Sequence, residues 1–540
     1  MAKKHTLEEL SQCNKEELIT MILMMQGQLD ALNENIEKLI EQVRIANNYR
    51  FGRKTESMNA IERQLTFFDE ADATYDETIP EPSAEEILPP KKRKTRGKRE
   101  LDLKDFPEEV LPAYSVSEEE LDAFYGKGNW RRMPDETYKK LRHEPESWTV
   151  EIHTVEVYVG TGGDHQDEFC RGKRPADLLR GSIVTPSLLA SILNVKYVNS
   201  SALNRIAQEF ERNGVNISKQ TMSNWIIKCA NRYFAPFVEH MKQELLKLPV
   251  TQSDETPTQV IKEQDHPNSK CYMWVHRSGE FYLDRPIVIY EYQKGRDHQI
   301  PLEFYKNYKG VLVTDGLQQY HLVDQKLPNV TNSNCWAHAR RDFSDAVKAM
   351  DKKNPETVRQ SIAYQALQKI GVFYNADTES KTLDSKERLK VRQEKLAPLV
   401  DDFFAWVKEQ LDLGTVPPKS KTAAGLRYCL NQESYLRVFL TNGDIPIDNS
   451  ASERAIRTFC IGKKNWMFHN SANGATASAL IYSISETAKL NNLRPYYYFK
   501  YLLEELPKIC KEETIDFTKM DDLMPWSKNL PEECKKQRRS

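Results

Sequence analysis

PVTQSDETPTQV at residues 249–260 and GVLVTDG at residues 310–316 decide the fold. The second is an apolar, β-branched run that stops at an acid and a glycine, the pattern of a buried strand entering a turn. The first reads as a strand ending at Asp254. Between them, CYMWVHRSGEFYLDRPIVIYEY (271–292) reads as a hairpin turning at Ser278-Gly279, and a short helix is expected near 299–307. The order is therefore three strands, a helix and a fourth strand, with carboxylates at two strand ends. An acid beside a turn can face a cleft, although an aspartate there also serves as an ordinary cap or turn residue. Two such acids on neighbouring strands can share a hard cation, and magnesium takes oxygen ligands while keeping waters. A third carboxylate would let two cations sit ~3.5–4 Å apart. Glu453, on the helix-like segment 451–457, is the third candidate beside Asp254 and Asp315. Asp448 is its rival, but Asp448-Asn449-Ser450 also reads as the N-cap of that helix.

Outward from this centre, residues 185–235 read as helices. A helix near 201–211 is followed by Asn213-Gly214 and then by a second helix starting at Ser218, a fair N-cap. This is a helix-turn-helix pattern, with Lys219, Gln220 and Asn224 on exposed faces for DNA; an ordinary helical hairpin has the same look. Residues 101–180 form a small mixed module in which TVEIHTVEVYVG (149–160) alternates like a strand. Residues 70–100 read as a linker rich in proline and acids. It closes on KKRKTRGKR (91–99), a run that either meets DNA phosphates or is simply solvated. In residues 15–46, Leu18, Ile22, Met25, Leu29, Leu32, Ile36, Leu39 and Val43 recur by four and three. That seam predicts a self-associating coiled coil, with a single packed amphipathic helix as the alternative. Downstream, a charged helical insertion is expected over about 345–440, then a helix from Ala475 to Leu490 and a final helix led by Pro495. The tail, 508–540, is polar and expected to be loosely ordered.

The 540 residues suggest roughly three to four structural units. With 39% hydrophobic and 29% charged residues, the composition fits a soluble protein. No apolar run reaches the ~18 residues that span a bilayer, and MAKKHTLEEL lacks the apolar core of a signal peptide. The expected setting is cytoplasmic, with no membrane partner. Nine cysteines lie scattered without a CxxC pair, which argues against a disulfide framework or a tetrahedral zinc site. Cys335 and His338 sit three apart and read either as half a metal site or as a packed cysteine beside a hydrogen-bonded histidine. Trp336 and Trp466 read as core residues, with DNA stacking as the alternative.

Several blocks carry a resemblance: FGRKTE (51–56), VTDG with Tyr320 following, CWAHARRDF (335–343), DNSASERAIR (448–457), KKNWMF (463–468) and ETAKLNNLRP (486–495). In these the chain resembles insertion sequence 66 family transposases, of the aspartate–aspartate–glutamate (DDE) superfamily, from the coiled coil to about residue 507. The resemblance implies an α+β multidomain protein: N-terminal coiled-coil helix, small mixed module, helix-turn-helix and a ribonuclease H-like catalytic domain over 248–507 with a helical insertion. It implies that Asp254, Asp315 and Glu453 are the catalytic, metal-holding triad, with two magnesium or manganese ions. It also implies nicking at terminal inverted repeats and transfer of the freed 3′-hydroxyl to target DNA. Arg340, Arg341, Arg454, Arg457, Lys463 and Lys464 are candidates to meet phosphate charge, since arginine suits bidentate phosphate contact. Arg454 and Arg457, close to Glu453, could instead orient it. Partners implied are DNA, a second copy through the coiled coil, and small accessory proteins. Family members often carry a zinc-binding module ahead of the helix-turn-helix; here residues 101–169 hold no cysteine and only Cys170 remains, so zinc is not expected. The rival functions are a DNA-binding accessory protein without catalysis and a nuclease that cuts without joining.

Overall fold

A computed structural model describes residues 177–536 apart from 264–269, 351–354 and 512–513, together with a few residues nearer the N-terminus. The expected coiled coil (all but Leu23 and Gln26, which are helical), the linker and most of the 101–180 module lie outside the described residues. The chain divides into two units, Met1–Glu56 with Ala176–Lys536, and Ser57–Pro175 with Gln537–Ser540. In the second unit, Val157–Val159 (β1) pairs antiparallel with Phe169–Arg171 (β2), so the alternating stretch finds its partner downstream.

From residue 177 onward, the described part of the first unit starts with the helices Pro186–Leu193 (α1), Leu203–Arg212 (α2), Lys219–Cys229 (α3) and Ala235–Leu245 (α4). The turn after α2 is fixed locally. Gly214 adopts φ +78, Val215 N–H bonds to Phe210 O at 2.8 Å and Gly214 N–H bonds to Glu211 O at 3.0 Å, which closes the helix with a left-handed residue. Ser218 Oγ then accepts Thr221 N–H at 3.1 Å and starts α3. Phe210, Met222, Trp225 and Ile226 bury the facing sides of this pair. That leaves Lys219, Gln220 and Asn224 exposed, with Gln220 Nε2 donating to Asn224 Oδ1 at 3.1 Å. Ser218→Ala is expected to cost about 1 kcal/mol of stability, read as a lowered unfolding midpoint.

The centre is a mixed sheet. Its strands are Val250–Lys262 (β3), Lys270–Ser278 (β4), Val288–Gln293 (β5), Gly310–Thr314 (β6) and Val330–Asn334 (β7), in the order β5-β4-β3-β6-β7. The first three are antiparallel, whereas β6 and β7 run parallel to β3. Helices Gln299–Phe304 (α5) and Gln318–Lys326 (α6) make the crossovers that parallel strands require. After β7 comes Trp336–Ala349 (α7) and then a helical insertion that includes Ile362–Ser380 (α8), Ala397–Asp412 (α9) and Lys421–Asn431 (α10). Trp336 is fully buried at the insertion's centre, against Phe373, Phe403, Phe404 and Phe439, so this tryptophan is core. The chain returns through Ser450–Trp466 (α11), His469–Ser471 (β8), Ala472–Leu490 (α12) and Pro495–Ile509 (α13).

Strand β5 would be a bare edge, and α12 covers it. Ser483 Oγ and Thr487 Oγ1 accept the N–H groups of Tyr290 and Val288 at 2.8 and 3.0 Å, so the helix's small hydroxyls take the place of a further strand. The tail departs from its expected looseness. Met520, Leu523, Met524, Leu530 and Cys534 are buried, and Arg494 N–H bonds to Cys534 O at 2.7 Å. Five apolar positions spread through a polar segment are enough to dock it on α13.

Candidate active site

Asp254 does not end its strand, as the sequence reading had it. Strand β3 continues to Lys262, pairing with β4 as far as Gln259↔Lys270. The reason is one-sided pairing. On its other edge, β3 meets β6 only through Gln252↔Val313 and β8 only from Val260↔His469, which leaves a gap over residues 253–259. Pro257 is tolerated because its missing N–H faces this gap, where no ladder runs. The polar groups along the gap are met by other means. Asn449 Nδ2 donates to Ser253 O at 2.7 Å, the Asp254 carboxylate takes Glu255 N–H at 2.8 Å, and Lys463 Nζ donates to Pro257 O at 2.5 Å. Helix α11, which supplies Asn449 at its cap and Lys463 in its last turn, thus lies along the opening.

Both aspartates stand at the edge of the gap, on one face of the sheet. Extending the β3–β6 register two residues past Gln252↔Val313 sets Asp254 beside Asp315. With the two-residue period of a strand, Asp254 shares the side of Val250 and Asp315 that of Val313, both in the core cluster of the insertion. Asp315 is placed by its turn. Its carboxylate accepts Leu317 N–H at 3.1 Å, its carbonyl accepts Tyr428 Oη from α10 at 3.1 Å, and Gly316 follows at φ +81. A Cβ on residue 316 would lie 2.5 Å from Tyr428 Oη and 2.8 Å from Asn334 Nδ2. Gly316→Ala is therefore expected to shift Asp315 and lower activity at least ~10-fold, with the folded state retained by circular dichroism.

Glu453 stands in the first turn of α11, and its Oε1 lies 3.8 Å from His338 Nδ1. The start of that helix is anchored at several points. Gln252 Nε2 donates to Asn449 Oδ1 at 3.2 Å, Asn449 N–H donates to Cys335 Sγ at 3.1 Å, and Asp448 Oδ1 accepts Ser450 N–H at 2.9 Å. Asp448 thus serves the helix start, while Asn449 holds the cap position itself. The Cys335 thiol is buried and held well above its ordinary pKa, mainly by burial, so it packs and accepts rather than ionises. His338 Nε2 pairs with Arg341 Nη2 at 2.9 Å, which places the ring proton on Nδ1, towards Glu453. Burial first, then Arg341, pushes the His338 pKa down to about 4, so the ring is neutral at pH 7.

The acids act on one another. Asp254 is pushed well above the usual carboxylate range by burial, then by Glu255, Asp315 and Glu453, against the Glu255 N–H bond. Asp315 rises to about 6, through burial and Glu255, with Leu317 N–H, Arg296 and Arg341 pulling back. Glu255 is the residue that sequence reasoning missed. Its side chain is fully buried, and Oε1 takes Arg296 Nε at 2.5 Å and Gln319 Nε2 at 3.2 Å, while Oε2 takes Tyr320 Oη at 2.5 Å. It ties the strand of Asp254 to the helix that follows Asp315. The one available signal was Tyr320, spaced after VTDG, which needs a buried partner for its hydroxyl.

Of the candidate phosphate-facing cations, Lys463 reaches Pro257 O in the gap and Arg341 acts on Asp315. Arg341 and Arg457 are exposed, Arg340 stacks over Tyr374 at 5.9 Å, and Lys464 is exposed beside half-buried Lys463. Arg454 pairs with Glu280 at 3.0 Å, which gives it a structural partner away from Glu453. Among the described residues, no group of three or more His, Cys, Asp and Glu side chains forms a ready-made metal cage. The structure sets Asp254 and Asp315 on the same side of neighbouring strands, with Glu453 within electrostatic reach of Asp254.

A mixed sheet opened by an acid-lined gap and closed by a helix bearing a further acid defines an α/β protein with a candidate acid-dependent site. The chain belongs to the IS66 transposase family: the family model matches residues 181–477, and the IS66 C-terminal element matches residues 483–526. It is similar to uncharacterized protein y4qI of Sinorhizobium fredii, 28% identical over 375 residues, covering 67% of this chain and 66% of that protein. It is also similar to y4hP of the same organism, 26% identical over 351 residues, covering 64% and 62%. The matched stretch thus spans a little under two thirds of these relatives. No described helix is long and apolar enough to cross a membrane.

Proposed function

We propose that the chain is a DDE-type DNA transposase with a ribonuclease H-like catalytic domain, acting at the ends of a mobile element. The observation that supports this reading is the gap in β3, with Asp254 two residues past the last β3–β6 pair, Asp315 at the matching position after β6, and Glu453 on α11 within electrostatic reach of Asp254. The strand order β5-β4-β3-β6-β7, three antiparallel strands followed by two parallel crossovers, supports the ribonuclease H-like assignment. The oxygen donors here are of the kind magnesium or manganese takes. Asp254 and Asp315 would hold the ions and Glu453 would complete the set, and ions held there would supply polarisation of the attacking oxygen and neutralisation of the leaving one.

The chain's own residues account for the rest. In nicking, a water oxygen bonds to phosphorus, the 3′-oxygen leaves and takes up a proton, and the 3′-hydroxyl is freed. In joining, that hydroxyl attacks a target phosphate and expels a second 3′-oxygen, with no net change in bond number. Glu255, through Arg296, Gln319 and Tyr320, holds the two aspartate-bearing segments at a fixed spacing. His338 stays neutral, so it adds no positive charge to compete for Glu453. Arg340, Arg341, Arg457, Lys463 and Lys464 meet the phosphates along the opening. Lys219, Gln220 and Asn224 read base edges of the terminal inverted repeats from the exposed side of α3. The coiled coil over 15–46 pairs two copies so that two ends are held together. The test is a nicking assay on a duplex carrying the element's end, with magnesium or manganese. Cleavage followed by strand joining in the intact chain, absent in Asp254→Asn and Glu453→Gln, supports transposition. Cleavage without joining makes the protein a nuclease, and binding without cleavage makes it an accessory protein.

A further inference from the structure

The turn after α11 is strained and carries large apolar side chains into solvent. Met467 adopts φ +69 and ψ −54, a conformation that disfavours any side chain. Phe468 N–H bonds to Trp466 O at 2.9 Å across it, so these residues form a γ-turn of the rare, positive-φ hand. Glycine would adopt this turn without strain, yet the chain places methionine there and phenylalanine next. Met467 is 65% exposed and Phe468 45% exposed. Neither burial nor backbone preference accounts for that choice, and strain of this kind collects where a surface must present a group to a ligand. The surroundings are cationic. Lys463 and Lys464 fill the last turn of α11, and exposed Lys262 lies on β3 opposite Ser471 of β8, beside half-exposed Ile261.

An apolar projection among lysines is complementary to duplex DNA, where cations take phosphates and an apolar side chain enters between stacked bases. The placement agrees with the acid site. Residue 467 lies 14 residues beyond Glu453 at the end of the same helix. At 1.5 Å per residue that is ~21 Å along the axis, a length that one bound duplex can span. We propose that Met467 and Phe468 form a wedge that enters the duplex away from the scissile phosphate and unstacks one step there, with Lys464 and Lys262 on the flanking phosphates. This rests on the reading of the chain as a DNA-cutting enzyme and adds an apolar contact with the base stack to it.

The test uses the full chain without metal and two 30-base-pair duplexes of the same sequence, one fully paired and one with a single central mismatch. Because a mismatched step is already partly unstacked, the intact chain is expected to bind it ~10-fold more tightly. The double variant Met467→Ser, Phe468→Ala should lose that preference to within about twofold while its affinity for the paired duplex falls only slightly. Lys464→Gln should weaken both duplexes equally and lower the salt dependence by about one ion. Met467→Gly, which relaxes the turn but keeps Phe468, controls for misfolding and should retain part of the preference. Equal binding of both duplexes by the intact chain, or an unchanged preference in the double variant, overturns the wedge and leaves the transposase reading standing. Absence of duplex binding altogether overturns both.

Discussion

Asp315→Asn is expected to abolish strand cutting, by at least ~10^3-fold, and at the same time to make the metal-free protein more stable at pH 7. The two effects share one cause. In the folded chain the Asp315 carboxyl titrates at about 6 against an ordinary value of 3.8, because burial and Glu255 both oppose its charge. The folded state therefore holds the proton more tightly than the unfolded chain. Stability contributed by this group falls as pH rises from about 4 to about 6, and the penalty is complete above that window. Asparagine removes the penalty, worth on the order of 1–3 kcal/mol at pH 7 and nothing near pH 3. Thermal unfolding of both proteins at pH 4 and pH 7 gives the comparison. A variant that is less stable than the parent at pH 7 would mean that Asp315 is not held among like charges.

Arg392→Met is expected to cost about 3–5 kcal/mol of stability. Arg392 is fully buried in the insertion. Its Nε and Nη2 approach Asp377 Oδ1 at 2.9 and 2.8 Å, and Nη1 donates to the carbonyls of Phe439, Asn442 and Ile445 at 3.0, 3.0 and 2.6 Å. Methionine fills the space but leaves Asp377 charged and unpaired, and it frees three carbonyls. The segment they belong to leads directly into Asp448 and the cap of α11. Hydrogen exchange over residues 439–449 should therefore rise, and cutting should fall with it because Glu453 loses its fixed position. Adding Asp377→Leu should recover part of the stability, since it removes the orphaned charge. If both the exchange rates and the melting temperature of Arg392→Met match the parent, the arginine is not the pin described.

Much of the fold was legible where local chemistry sets the outcome. The run GVLVTDG, the Ser218 cap, the Gly214 turn and the proline at the head of α13 each act within a few residues, and each forms the element expected of it. Asp254 was misplaced within its strand because the extension to Lys262 rests on pairing with β4 along one edge only, which no local pattern of residues 249–260 announces. Glu255 was invisible for a different reason: Arg296 and Tyr320 lie 41 and 65 residues away, and no local pattern announces such a pairing. Arg392 sits in the charged stretch KVRQEKL and reads as solvated, yet folding buries it completely. The tail was misread in the same way, from a polar average that hides five buried side chains.

In the proposed transposase, Asp254, Asp315 and Glu453 would hold one divalent-ion site together. Iron(II) can stand in for magnesium and, with ascorbate and peroxide, generates hydroxyl radicals that cut the backbone within a few ångströms of the metal. Mass mapping of the fragments should show cuts clustered near residues 254, 315 and 453, all suppressed by excess magnesium and lost together in Asp315→Asn. Cuts confined to other segments, or cuts at 254 and 315 with none near 453 even when duplex DNA is bound, would contradict it.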